Sequence, residues 1–207
     1  MRQRRVKNRN QILIDCENYI YKDASGIPKE KPLYIEIGSG KGKFITEKAL
    51  ANPNNFYLAC EGGLNINVRI LQKAKELQLE NISVITEYIT KPAEFFAPDT
   101  LDGIYINFCD PWPKDRHAHR RLTYKNMLEG YKIIAKPGAY LFFKTDNDDL
   151  FEWSLQEFKA ASLWPPMEFT RDLWNSEFEK ENIHTEYEEK FGNAGKSINY
   201  IKVKLKE

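Results

Sequence analysis

Apolar runs of strand length alternate with helix-like segments along this chain, from residue 33 almost to its C-terminus. Successive runs are spaced by roughly 25 residues, which predicts a mostly parallel sheet covered by helices on both faces. The predicted strands are residues 33–37, 56–60, 82–85, 103–108 and 139–144, and the predicted helices are residues 42–51, 65–78, 123–135 and 148–161. Residues 198–205 alternate between polar and apolar side chains, as in a half-exposed antiparallel strand. The sequence therefore predicts a doubly wound α/β fold.

The length and the charge distribution indicate how the chain is organised. At 207 residues it fits one domain with a full hydrophobic core, which we expect over residues 32–207, after a basic N-terminal arm over residues 1–31. The first ten residues of the arm contain no acid and five basic side chains: Arg2, Arg4, Arg5, Lys7 and Arg9. Such a cluster is either a solvated tail or a clamp for a polyanion, although the net charge of the whole chain is only +1.

The cysteine content and the lack of long apolar segments predict the cellular compartment. The three cysteines, Cys16, Cys60 and Cys109, have no paired spacing, which indicates a reducing compartment rather than a disulfide framework. No segment approaches the roughly 20 apolar residues that a membrane span needs, and the basic N-terminus is followed by no apolar signal region. We therefore expect a cytoplasmic protein without membrane contact.

A glycine cluster, Glu36-Ile-Gly38-Ser-Gly40-Lys-Gly42, lies between the first predicted strand and the first predicted helix. Glycines there let the backbone pass close to a bound cofactor, and the helix N-terminus offers free N–H groups. The dinucleotide fingerprint requires a small residue at position 43, where this chain has Lys43. Glu61 ends the second predicted strand, where a carboxylate can accept both hydroxyls of a ribose. This pattern favours a nucleoside cofactor without a pyrophosphate.

A second motif follows the fourth predicted strand and places an acid, an aromatic ring and basic side chains together. It runs from Asp110 through Pro111, Trp112, Pro113, Lys114 and Arg116 to Arg120 and Arg121. Ligands of open α/β sheets bind at such strand ends, and the basic side chains suit phosphate contacts that position RNA. Trp112 either stacks on an exposed base or packs on the sheet edge. His117 and His119 have no third ligand nearby, so we expect no metal site.

The pattern E-x-G-x-G-x-G resembles the first motif of class I S-adenosylmethionine-dependent methyltransferases, and the Asp110 motif resembles one family among them, the bacterial tRNA (guanine-N7-)-methyltransferases. Two further segments are similar to that family, Lys144-Thr-Asp146-Asn and Thr185-Glu-Tyr-Glu188. The resemblance extends over most of the chain from about residue 33 and implies a Rossmann-like, seven-stranded sheet with S-adenosyl-L-methionine as cofactor and tRNA as partner. It implies methylation of guanine 46 in the variable loop. The sequence leaves a monomer and a homodimer equally open.

The resemblance also assigns site residues. It implies cofactor contacts for Glu36, Glu61 and Asp110, and tRNA or guanine contacts for Lys114, Asp146 and the segment from Thr185 to Glu188. The residues themselves add Gly38 and Gly40 to the expected cofactor site, and Arg116, Arg120 and Arg121 to the expected phosphate contacts. One position departs from the family, because Tyr88 stands where an aspartate commonly contacts the adenine region. That contact then falls to Glu87, to a main-chain group or to packing of the Tyr88 ring.

The implied chemistry needs no general base, because guanine N7 has a free lone pair and loses no proton when it is methylated. Asp110, as the catalytic residue, and Asp146 are expected to stabilise the positive charge that develops on the base. Alignment of N7, the methyl group and the sulfur is expected to supply most of the acceleration.

Three other functions are compatible with parts of the sequence. A class I methyltransferase acting on another RNA or on a small molecule has the same fold, but the basic motif argues against a small neutral acceptor. A non-catalytic RNA-binding protein of the same fold would have lost the cofactor acids, whereas Glu36, Glu61 and Asp110 are all present. A nicotinamide oxidoreductase is disfavoured by Lys43 and by the glycine spacing.

Overall fold

A computed structural model describes residues 6–161, 164–191 and 196–205 of the chain. Its strands are β1 (Leu33–Ile37), β2 (Phe56–Cys60), β3 (Ile82–Ile85), β4 (Leu101–Asn107), β5 (Ala135–Thr145), β6 (Trp164–Thr170) and β7 (Asn199–Lys204). Its α-helices are α1 (Arg9–Asp15), α2 (Lys43–Ala51), α3 (Leu64–Glu76), α4 (Pro92–Phe95), α5 (Lys125–Ile134), α6 (Asp148–Ala160) and α7 (Glu186–Phe191).

The strands form one seven-stranded sheet in the order β3-β2-β1-β4-β5-β7-β6. β2 runs parallel to β1 and to β3, β5 runs parallel to β4, and β7 runs antiparallel to both β5 and β6. The predicted α/β class, the mostly parallel sheet and the antiparallel C-terminal strand are therefore confirmed. Parallel strands need crossover connections, which the helices between them supply.

Contacts divide the chain into two compact units. The first ends at Tyr88 and includes Ile183–Glu186, and the second takes in Ile89–Asn182 and the residues from Tyr187 onward. In the first unit, β1, β2 and β3 are almost entirely buried, as expected for strands covered on both faces. In the second unit, the buried faces of α5 and α6 carry large side chains such as Tyr131, Phe151 and Phe158.

The described part of the N-terminal arm belongs to the first unit. It contains α1 and then pairs with the edge of the sheet through Ile20 and Val84. The Tyr21 N–H donates to the Val84 carbonyl at 2.9 Å. Arg2, Arg4 and Arg5 lie outside the described residues, and the division into one arm and one domain stays a prediction.

Candidate active site

In the first unit, the glycine loop turns directly from β1 into α2. Gly42 immediately precedes α2 with a φ of 83°, and a Cβ there would lie 2.9 Å from the Ile70 side chain, so both conformation and space require glycine. Gly38 and Gly40 differ from it, because a Cβ at either position would meet nothing within 4 Å. The loop therefore leaves open space beside its backbone, as a cofactor cradle requires.

Two acids flank this loop. Glu36 is only 2% exposed near the end of β1, and its carbonyl accepts a hydrogen bond from Ser39 Oγ at 2.9 Å. Glu61 follows β2, and its carboxylate accepts the Gly40 N–H at 3.3 Å and the Gly63 N–H at 2.9 Å. These main-chain donors fix the Glu61 carboxylate against the loop, which suits an acceptor for ribose hydroxyls.

Tyr88, the residue that departs from the family pattern, is 72% exposed and lies against Gly62. A Cβ at Gly62 would lie 2.2 Å from the Tyr88 ring, so only glycine allows this close approach. Glu87 is exposed, and its carbonyl accepts the Cys60 thiol at 3.3 Å. Both residues therefore lie close to the ends of β2 and β3, with Tyr88 presenting an exposed ring.

In the second unit, the chain leaves β4 through a turn of unusual geometry. Phe108 has a φ of 50° and Trp112 a φ of 44°, a region that side chains other than glycine rarely adopt. Asp110 is exposed between these two residues. Backbone strain of this kind concentrates at functional sites, where the surrounding structure holds it in place.

The Trp112 ring packs within its own motif. The Arg120 guanidinium lies 4.8 Å from the ring centroid, and the His117 ring meets it edge-on at 5.9 Å. Lys114, Arg116 and Arg120 are exposed around a short 3-10 helix, Asp115–Arg120. These three cations are accessible to an anionic partner.

Arg121 differs from its neighbour Arg120 because it is only 7% exposed. Its guanidinium donates to the Pro111 carbonyl at 3.0 Å and to the Trp112 carbonyl at 3.1 Å, and it lies 4.4 Å from the Trp153 ring centroid. Arg121 is therefore buried behind the Asp110 motif, where its hydrogen bonds hold the turn at Pro111 and Trp112.

Asp146 follows the end of β5, and its Oδ2 accepts hydrogen bonds from the Tyr187 hydroxyl at 2.7 Å and from Lys196 Nζ at 2.8 Å. Burial raises the pKa of this carboxyl, but the donations from Lys196 and Tyr187 outweigh burial and lower the pKa below its ordinary value. Asp146 is therefore a carboxylate at neutral pH.

Thr185 and Glu188 are both buried. Glu188 Oε2 accepts Lys144 Nζ at 2.8 Å, and Asn182 bridges the pair by accepting from Lys144 at 3.0 Å and donating to Glu188 at 3.2 Å. The resemblance implied a substrate contact for Glu188 and gave no role to Lys144 or Asn182. The sequence did contain a signal for this buried ion pair. A lysine at the end of the apolar β5 run is expected to be buried, and a buried cation requires a counter-charge.

Within the described residues, no group of three or more His, Cys, Asp or Glu side chains is arranged to hold a metal ion. No helix in the same residues is long and apolar enough to cross a membrane.

Comparisons with known proteins identify the class. The profile of a family described as "Putative methyltransferase" matches residues 30–201. The 16S rRNA methyltransferase KamB has the same fold, with a TM-score of 0.64 at 13% identity over 99% of this chain and 96% of that chain. An antibiotic-related methyltransferase gives a TM-score of 0.57 at 17% identity, covering 97% and 95% of the two chains. The fold and the glycine loop are those of a Rossmann-like methyltransferase.

Similar sequences identify the family within the methyltransferases. A tRNA (guanine-N(7)-)-methyltransferase of Latilactobacillus sakei is 44% identical, over 93% of this chain and 90% of the relative. Proteins with the same name from Clostridioides difficile, 39% identical over 96% of both chains, and Mycoplasmopsis pulmonis, 38% identical over 100% of both chains, match as well. The chain belongs to the tRNA (guanine-N(7)-)-methyltransferase family, which confirms the resemblance found in the sequence.

Proposed function

We propose that this chain transfers the methyl group of S-adenosyl-L-methionine to N7 of a guanine in tRNA, with guanine 46 of the variable loop as its target. The observation that carries the proposal is the similarity over nearly the whole chain to relatives named for this reaction, at 38% to 44% identity. The exposed Asp110 and the cations around it supply the acid and the phosphate contacts that such a reaction requires.

The residues of the first unit fit this cofactor, which supplies an electrophilic methyl group on a sulfonium when it is bound. Glu36 is buried and places negative charge where a sulfonium and an ammonium group need it. Glu61 accepts the ribose hydroxyls, while Gly38 and Gly40 leave room beside the loop. Tyr88 takes the place of the family aspartate beside the adenine ring, with the acid Glu87 next to it.

The residues of the second unit act on the acceptor. Asp110 and Asp146 stabilise the positive charge that develops on guanine, and no side chain needs to remove a proton. Lys114, Arg116 and Arg120 contact RNA phosphates. Arg121 supports these contacts indirectly, by holding the Pro111 and Trp112 carbonyls.

Thr185 and Glu188 are both buried. Their part in tRNA binding is therefore to hold the surrounding segment in place beside the acceptor. The free cysteines Cys16, Cys60 and Cys109 fit the reducing cytoplasm, where we place the reaction.

Methyl transfer from radiolabelled S-adenosyl-L-methionine to unmodified tRNA tests the proposal, followed by borohydride and aniline cleavage, which breaks the chain at N7-methylguanine. We expect cleavage at guanine 46 and none in a matched transcript with adenine at that position. Transfer without this cleavage would refute the N7 assignment, and cleavage at another guanine would refute the position. Absence of transfer to any tRNA, from protein that binds the cofactor, would refute the tRNA substrate.

A further inference from the structure

Trp153 of α6 packs against an arginine of the Asp110 motif. The Arg121 guanidinium lies 4.4 Å from the centroid of the Trp153 ring, a distance at which an aromatic face attracts a cation. Arg121 is buried and Trp153 is half-buried, so little water competes for this contact. The ring therefore limits the positions that the guanidinium can take.

The Arg121 side chain connects this ring to the turn after β4. It donates to the Pro111 and Trp112 carbonyls at 3.0 Å and 3.1 Å. Trp112 has a φ of 44°, a conformation that persists only where the surrounding structure holds it. Asp110 directly precedes these two residues, so the position of its carboxylate depends on the same turn.

Two further hydrogen bonds fix α6 against the chain that follows the motif. Ser154 Oγ and Thr123 Oγ1 lie 2.8 Å apart, and both side chains are fully buried. The Glu157 carboxylate accepts the Lys125 N–H at 2.9 Å, where α5 begins. The contact between the ring and the guanidinium is therefore part of a fixed junction between helix and motif.

We propose that Trp153 is a positioning residue for methyl transfer, whose ring holds the Arg121 guanidinium and, through it, the turn that orients the Asp110 carboxylate. The inference deepens the proposed function and rests on it, because the orientation of Asp110 affects a rate only if methyl transfer takes place there. No motif in the sequence includes Trp153, and its role follows from the contacts of the folded chain alone.

The expected consequence of losing the ring is a slower chemical step, with cofactor binding unchanged. A group that stabilises charge acts in the transition state, and its misplacement by about 1 Å lowers a rate by up to about 100-fold. The acids expected at the cofactor, Glu36 and Glu61, belong to the first unit, whereas Trp153 and Arg121 belong to the second.

The test compares three variants with wild type in single-turnover transfer to tRNA at saturating S-adenosyl-L-methionine. Trp153→Leu keeps an apolar side chain without a ring and is expected to lower the rate by about 10- to 100-fold. Trp153→Tyr keeps a ring that attracts the guanidinium and is expected to restore most of this loss. The affinity for S-adenosylhomocysteine is expected to stay at the wild-type value in both. Phe169→Leu is the matched control, because the Phe169 ring also lies near a guanidinium, that of Arg171 at 5.6 Å.

A double-mutant cycle shows whether Trp153 acts through Arg121. Arg121→Met removes the cation and both of its donations to the turn. Trp153→Leu is therefore expected to slow transfer little further once Arg121→Met is present. A merely structural role predicts instead that the two losses multiply, because independent defects add in free energy.

Hydrogen exchange followed by mass spectrometry reports on the turn without any turnover. The peptide covering residues 109–121 is expected to exchange several-fold faster in Trp153→Leu and in Arg121→Met, because both changes release the turn. The same peptide is expected to exchange at the wild-type rate in Phe169→Leu.

Each outcome decides the inference. A wild-type transfer rate or wild-type exchange in Trp153→Leu would overturn it. Losses that multiply in the double variant, an equal loss in Phe169→Leu, or a parallel fall in affinity for S-adenosylhomocysteine would overturn it too, since each indicates a defect that does not run through Arg121. If the wild-type protein transfers no methyl group to tRNA guanine, it is the proposed function that fails, and the exchange measurement still decides whether the ring holds the turn.

Discussion

Lys144 Nζ lies 2.8 Å from Glu188 Oε2, and the side chains of the two residues are 4% and 0% exposed. Both side chains are almost fully removed from water, and Asn182 hydrogen-bonds to each member of the pair. The interaction joins the end of β5 to α7. The segment that carries Tyr187 is thereby fixed to the strand that precedes Asp146.

Removing one member of this pair is expected to be far more damaging than removing both. Glu188→Leu or Lys144→Met alone leaves a buried charge without its partner, which costs about 3–5 kcal/mol of the free energy of unfolding. The double variant Lys144→Met with Glu188→Leu is expected to lose clearly less than the sum of the two single changes. Urea denaturation measures all three, and strictly additive losses would contradict the pairing.

Arg120 and Arg121 are expected to respond differently to substitution, although they are neighbours with the same chemistry. Arg120 is exposed, so Arg120→Ala is expected to weaken tRNA binding and to lower the slope of log affinity against log salt by about 1. Arg121→Ala leaves two main-chain carbonyls without a donor and is expected to cost about 1–3 kcal/mol of stability. Filter binding at several salt concentrations and urea denaturation separate the two effects. Equal salt slopes for wild type and Arg120→Ala would place the RNA elsewhere.

Asp110→Ala is expected to reduce methyl transfer by about 100-fold or more, because the carboxylate stabilises charge in the transition state. Asp110 is exposed, so the free energy of unfolding is expected to change by no more than about 0.5 kcal/mol. Single-turnover transfer is the measurement. Asp115→Ala is the matched control, since Asp115 is an exposed acid of the same loop. Near-wild-type transfer by Asp110→Ala would refute the catalytic role.

Glu61→Gln is expected to weaken binding of S-adenosylhomocysteine by about 10- to 100-fold, because a charged acceptor for the ribose hydroxyls becomes neutral. Isothermal titration gives this affinity without any catalytic step. Glu76→Gln, an exposed change at the end of α3, is the control for charge alone. If both variants bind like the wild type, Glu61 does not contact the ribose.

Cys109 is expected to be unreactive toward thiol reagents in the native protein. Burial, together with the negative charge of Asp110, raises the pKa of this thiol to about 12. At pH 8 the half-buried thiol is therefore overwhelmingly protonated, whereas the thiolate is the reactive form. The rate of reaction with Ellman's reagent, compared between wild type and Cys109→Ser, measures the reactivity of this thiol. Rapid labelling that disappears in Cys109→Ser would show an ordinary pKa.

The strands show how far local sequence information extends. β1, β2 and β3 begin and end where their apolar runs do, since each run is bounded by a clear break. β5 differs, because residues 136–138 were predicted to separate helix from strand and instead belong to the strand, which begins at Ala135. Ala135 pairs with Leu101 of β4, next to an irregularity in the register between the two strands. The strand therefore begins early because of a partner in β4, which the local sequence of β5 does not reveal.

β6 was not located in the sequence, since Pro165 and Pro166 argue against a strand. It lies at the edge of the sheet and pairs with β7 alone, where a proline is tolerated because one side of the strand needs no ladder hydrogen bonds. Whether a strand is central or at the edge depends on the order of strands in the sheet, which no local pattern contains.

The sequence by itself determined the fold class, the family and the kinds of residue at the site, because strand periodicity, glycine spacing and the Asp110 motif are local along the chain. The tertiary structure decided which of those residues face solvent. Arg120 and Arg121 are adjacent, yet the first is exposed and the second is buried beneath the loop. Glu188 lies next to Tyr187, yet the carboxylate is bound to Lys144 while the ring remains accessible. Burial depends on what packs against a side chain from elsewhere in the sequence, and that is settled only when the chain folds.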